Sequence, residues 1–109
     1  MLRASGDEGS VEMKFEIKLV PSADGDVDWY KASVQRIILD AIGQFLENDA
    51  NVETNRRKRL RPNPIAPWEL RIGEYRVFYE IVEDRTVRVL AVGHKVHNEL
   101  FIRGKRVEI

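Results

Sequence analysis

Five cations stand within six residues, Arg56, Arg57, Lys58, Arg59 and Arg61, the densest charge in the chain. A run of this kind grips a phosphate backbone without reading sequence, with an affinity that falls steeply as salt rises. The acidic half of the chain gives the same run a second use, neutralisation within the monomer or across a dimer. Arg76 alternates with Val77, Tyr79 and Ile81, so if those line a buried face it projects onto the open one, where its plain alternative is an ion pair with Glu80 or Glu69. Arg71 shares that position, with Glu69 two residues away on the same face. Tyr75 and Phe101 are the aromatics open to stacking on a base. His94 and His97 stand three apart around Lys95; with no third His or Cys ligand they make a poor metal site, and neither metal nor cofactor is expected.

Elements must bring these residues together. Residues 13–20 alternate apolar and polar and read as a strand that Pro21 ends. Ser22 is an N-cap candidate for a short helix over about residues 23–30, weakened by Gly25. Val34, Ile37, Ile38, Ala41, Ile42, Phe45 and Leu46 form one apolar helical stripe behind a candidate cap at Ser33. Residues 48–67 hold no period, and Pro62, Pro64 and Pro67 forbid a continuous helix, so a long connection with extended stretches is expected there. Strand-like runs follow at 68–72, 75–82 and 86–92. Gly73-Glu74 is a two-residue hairpin signal, and residues 83–85 separate the second run from the third. The result is an α+β domain, β-α-α-β-β-β, with a small antiparallel-rich sheet, two helices packed on one face and the other face left free to bind. Trp68, Tyr79, Phe15 and Phe78 read as packing residues.

The 109 residues contain 18 Lys+Arg, 18 Asp+Glu and no cysteine. A single domain follows, residues 13–109, behind a flexible acidic, Gly/Ser-rich extension over residues 1–12, with Met13 as a plausible true start. Disulfide frameworks, thiolate zinc sites and cysteine nucleophiles are excluded. No run nears the roughly 18 apolar residues of a membrane span, so a cytoplasmic protein without membrane contact is expected. The zero net charge conceals an asymmetry: residues 1–54 carry five basic and eleven acidic groups, residues 55–109 thirteen basic and seven acidic.

The segment WELRIGEYR, continued as VFYEI, an acidic turn and VRVLAVGHK, together with KFEIKLVPSA at the first strand, resembles the RelE/ParE superfamily of toxins from bacterial type II toxin-antitoxin systems. The resemblance spans residues 13–101 and implies the same β-α-α-β-β-β fold. It implies a ribosome-dependent mRNA endonuclease that drives the ribose 2′-hydroxyl onto the adjacent phosphodiester, held inactive by a cognate antitoxin. Its ParE branch implies instead a DNA gyrase inhibitor that works by binding, and a degenerate toxin would act only with its antitoxin as co-repressor. By resemblance Arg76 holds the scissile phosphate and Lys95 stands at a second catalytic arginine. Phe101 replaces a catalytic tyrosine, and Glu69 replaces a sheet lysine, with Pro67 near another. These departures leave His94, His97 and Lys95 as acid-base candidates and Arg56, Arg57, Lys58, Arg59, Arg61, Arg71, Tyr75 and Phe101 as RNA contacts. Arg103, Lys105 and Arg106 extend the basic patch or serve the antitoxin.

Overall fold

The computed structural model describes residues 14–109, so the expected extension over residues 1–12 and the start at Met13 lie outside the described residues. In chain order the elements are β1 (Glu16–Leu19), α1 (Pro21–Asp28), α2 (Ala32–Leu46), β2 (Arg57–Arg59), β3 (Trp68–Ile72), β4 (Tyr75–Val82), β5 (Thr86–Val96), β6 (Glu99–Ile102) and β7 (Lys105–Val107). The expected order holds, with three short strands added. β2 lies inside the long connection, β6 and β7 follow the meander, and β5 runs four residues further than its apolar pattern. Strands β2-β3-β4-β5-β6-β7 form one antiparallel path, and β1 joins it parallel to the first half of β5. Because β4 lines one edge of β5 from residue 86 to residue 94, β1 at residues 86–89 and β6 at residues 94–96 lie end to end along the other edge.

Neither helix starts where a side-chain cap was expected. Pro21 occupies the first turn of α1, where its missing N–H costs nothing, and this moves the start two residues ahead of the expected one, with Val20 at the N-cap and Ser22 inside the helix. α2 begins behind Lys31 with Ser33 inside it, and no side chain caps it. Gln35 closes the junction between the helices by donating from Nε2 to the Tyr30 carbonyl at 2.7 Å.

The helices cover one face of the sheet. Ile38, Ile42 and Leu46 of α2 bury against Leu70, Val77, Tyr79, Val87, Val89 and Val92, with Phe15 and Trp68 in the same core. Each fully buried aliphatic side chain contributes about 1.5–3 kcal/mol. Ile37, at the outer flank of the stripe, stays 49% exposed. Tyr79 is fully buried and donates its hydroxyl to the Ala50 carbonyl at 2.8 Å; burial pushes its phenol above the ordinary value.

The gap between β1 and β6 is closed by a carboxylate. Asp26 of α1, buried, accepts the Val92 N–H at Oδ2 (3.0 Å) and Arg103 Nε at Oδ1 (2.7 Å), and Arg103 Nη2 donates to the Ser22 carbonyl at 2.8 Å. Gly25 makes this possible, since a Cβ there would collide with the Arg103 guanidinium. Arg103, read from sequence as a patch or interface residue, therefore straps the β6–β7 turn to α1.

The second face is not wholly free, as the alternation had implied. Ala66, Phe78 and Leu100 form a small second core with Leu60, Ile65, Leu90 and neighbouring apolar residues packed on it. Asn63 fixes the covering loop: its Nδ2 donates to the carbonyls of Arg61 and Ala66, and its Oδ1 accepts the N–H groups of Ile65 and Ala66. A β-bulge then sets which residues look out. Tyr79 pairs with Val89 but Phe78 pairs with Ala91, leaving Leu90 as the extra residue of β5. Beyond it the alternation of β5 is inverted, which sends Val92 and His94 toward the helices and Ala91 and Lys95 to the open face.

Candidate functional site

Where the covering loop stops, the open face carries charge. Arg71 and Arg76 stand directly opposite each other across β3 and β4, a like-charged pair that costs stability unless an anion lies between. Glu69 is that anion. Its side chain is 5% exposed, with Oε1 3.2 Å from Arg71 Nε and Oε2 3.4 Å from Arg76 Nε. The Arg71 contact is a hydrogen bond. The Arg76 contact is an ion pair without hydrogen-bond geometry, and Arg76 Nε is the one buried side-chain polar atom among the described residues that lacks a hydrogen-bond partner. Arg76 is held further by its Nη1, which donates to the carbonyls of Gly73 (2.7 Å) and Tyr75 (2.9 Å). Burial pushes its guanidinium below the ordinary value, the Glu69 carboxylate pulls it back up, and Arg71 lowers it again.

Arg71, at 46% exposure, joins Arg61 and Lys95 around a cavity of about 250 Å³ walled by Leu60, Pro62 and Asn63, in which Glu69 is the only carboxylate side chain of the lining. Arg76 is 16% exposed and lies behind Glu69, outside that lining. Lys58 faces the same side, paired across strands with Glu69. The sequence-predicted cations Arg61, Arg71, Arg76, Lys58 and Lys95 thus share one face.

The rest of the predicted set lies elsewhere. His94 faces the helices: its Nδ1 is 2.7 Å from the Tyr30 hydroxyl, and its ring is sandwiched between Trp29 (6.2 Å between centroids, 15° between planes) and Phe101 (5.8 Å, 19°). Burial first, then the nearby Tyr75, Asp26 and Glu74, push the Tyr30 phenol up to about 12, so its hydroxyl keeps its proton and can give or take the hydrogen bond with His94 Nδ1. Tyr75 packs edge-on against Tyr30, so Tyr75 and Phe101 both spend ring surface on the protein itself. His97 is exposed in the β5–β6 turn with φ of 51°. Sheet pairing places His94 on the opposite face from Arg76 and Lys95.

The basic run divides in the same way. Arg57 donates from Nε to the Val52 carbonyl (2.8 Å) and from Nη1 to the Phe45 carbonyl (2.9 Å), satisfying the C-terminal end of α2. Arg56 lies over the Phe45 ring and Arg59 over the Trp68 ring, 4.7 and 5.4 Å from the centroids. The central place of Glu69 was the hardest to see, since in sequence it reads as a counter-charge or as the replacement of a sheet lysine. The signal was its place two residues before Arg71, on a strand whose neighbour carries Arg76. Among the described residues no group of three or more His, Cys, Asp or Glu could hold a metal ion, and no helix is long and apolar enough to cross a membrane.

A cationic sheet face with a buried carboxylate at its centre can bind a phosphodiester backbone and stabilise charge that develops on it. The comparisons with known proteins agree on the fold that carries this face. Residues 17–98 match the family described as ParE toxin of type II toxin-antitoxin system, parDE. No curated protein sequence matches the chain. Among solved structures, the toxin-antitoxin complex RelBE2 from Mycobacterium tuberculosis is 24% identical, with 76% of this chain and 100% of that chain covered and a TM-score of 0.56. The archaeal RelE-RelB complex from Pyrococcus horikoshii OT3 is 17% identical, covering 78% and 99%, with a TM-score of 0.61. The YoeB dimer from Staphylococcus aureus is 20% identical, covering 78% and 99%, with a TM-score of 0.55. Since the family match takes in about three quarters of the residues and the solved structures share the two-helix, open-sheet fold, the chain belongs to the ParE toxin family of type II toxin-antitoxin systems, in the RelE/ParE superfamily.

Proposed function

We propose that the protein is a RelE-like mRNA endonuclease acting on the ribosome and neutralised by a cognate antitoxin, with the open sheet face as its working surface. The convergence of Arg61, Arg71 and Lys95 on one cavity carries this reading. Attack of the ribose 2′-oxygen on phosphorus forms one P–O bond as the bond to the 5′-oxygen breaks, and the proton of the 2′-hydroxyl passes to solvent water. Guanidinium and ammonium donors fixed on a rigid sheet stabilise the extra negative charge of the phosphorane, and the Lys95 ammonium can hand a proton to the departing oxygen. Arg76, behind Glu69, adds fixed positive charge. The antitoxin follows from the family and from the two related complexes, in which a toxin and an antitoxin sit together.

Replacing Lys95 or Arg71 with Ala should lower transcript cleavage about 10²-fold, the scale of losing one transition-state donor, with growth inhibition lost in parallel. Mapping of cut transcript ends after brief expression measures this. A second reading, a ParE-like inhibitor of DNA gyrase, is favoured by the family match itself and by a cavity lining that holds neither imidazole nor phenol. Intact transcripts together with filamentation and loss of gyrase supercoiling activity would select it.

A further inference from the structure

We propose that Glu69 is a positioning residue, held by Arg76, that aims the Arg71 guanidinium at a phosphate in the cavity. The inference rests on the reading of the open face as a phosphodiester site. Glu69 engages Arg71 through Nε, the inner edge of the guanidinium, and among the described residues the outer nitrogens of Arg71 make no hydrogen bond. That leaves the two-pronged end, the part that matches phosphate oxygens, without a partner among the described residues on a side chain that lines the cavity. Glu69 cannot swing out to meet solvent, because it is buried and its other oxygen sits 3.4 Å from Arg76 Nε. Arg76 in turn cannot follow it, being tied to two backbone carbonyls of the β3–β4 turn. The unpartnered Arg76 Nε lies within reach of Glu69 Oε2, so a small rotation completes a relay from Arg76 through Glu69 to Arg71. The cross-strand opposition of the two arginines, unfavourable by itself, becomes useful: one is sacrificed as an anchor so that the other is fixed.

Charge alone and positioning predict opposite signs, and this makes the inference testable. Removing a carboxylate from a cationic cavity strengthens the binding of an anion if only net charge matters. If Glu69 aims Arg71, Glu69→Gln weakens binding although it adds one unit of positive charge. The probe is a fluorescein-labelled, fully 2′-O-methylated RNA 12-mer, which cannot be cut, and the readout is fluorescence anisotropy at fixed salt. Glu69→Gln should weaken binding about fivefold in the wild-type background. In an Arg71→Ala background, where nothing is left to aim, the same substitution should leave affinity unchanged or tighten it. Equal or tighter binding by the single variant overturns the inference, as does an equal loss in both backgrounds. Should Glu69→Gln not fold, Glu69→Asp keeps the charge and withdraws it by about 1.5 Å, one carbon–carbon bond; it must weaken binding only when Arg71 is present, and any other result also overturns the inference. If Arg71→Ala and Lys95→Ala both bind the oligonucleotide like wild type, the open-face reading itself fails; if they lose affinity while Glu69→Gln does not, only the role of Glu69 fails.

Discussion

Arginine does three different jobs in this molecule, and its neighbours decide which. Arg57 and Arg103 are turned inward to carbonyls and a carboxylate, Arg56 and Arg59 cover aromatic rings, and Arg71 is presented outward. Asp26 is the most exacting of the inward partners, since one carboxylate satisfies both a buried N–H of β5 and a guanidinium. Asp26→Ala should cost about 1–3 kcal/mol, the scale of leaving the buried Val92 N–H unpaired, since Arg103 is half exposed and regains water, read as a lowered urea midpoint; Asp26→Asn, which keeps an acceptor for Val92, should cost less. None of this division of labour was legible in the sequence. Five cations in six residues look alike until β2 forms and alternation turns Arg57 to the helices and Lys58 to the open face.

The meander was legible at the level of elements because β3 and β4 alternate and Gly73, with φ of 57°, supplies the conformation their two-residue turn requires. β2 was not, because three consecutive cations carry no alternation. Its outer edge is nonetheless finished locally: Arg57 N–H donates to Thr54 Oγ1, Thr54 N–H to the Arg57 carbonyl, and Arg59 N–H to Glu53. The orientation of His94 was illegible for another reason. Counting by twos from Val87 and Val89 places His94 on the face of Arg76, and a single extra residue, Leu90, reverses the count. The β5–β6 turn carries a cost of its own, since His97 and Asn98 both adopt positive φ, 51° and 71°. Replacing the pair with Asn-Gly should raise stability by about 1 kcal/mol in thermal or urea unfolding. Retained transcript cleavage in that variant would remove His97 from the acid-base candidates.

For the whole molecule, pH stability follows from two phenols raised by burial. The Tyr30 phenol stands at about 12 in the folded protein, and that of Tyr79 is also raised; in the unfolded chain each titrates near 10. The folded state therefore holds its protons longer, so the contribution of these groups is complete below about pH 10 and is lost as pH rises toward 12. Urea midpoints measured across that window should fall with rising pH, and Tyr30→Phe should flatten the fall. A different kind of consequence attaches to β1. Glu16 pairs with Thr86, seventy positions downstream, and Asp26 waits for Arg103. At about 5–20 residues per second, a ribosome needs roughly 4 to 14 s to make the strand that β1 requires. Within that interval the apolar stripe of α2, complete at Leu46, first meets a sheet when β3 and β4 are made, and the β1 and β5 part of its core comes last. The open face proposed as the working surface, built on β3, β4 and β5, comes into being only as that wait ends, so the order of synthesis gives any partner bound to the growing chain a head start over the finished toxin.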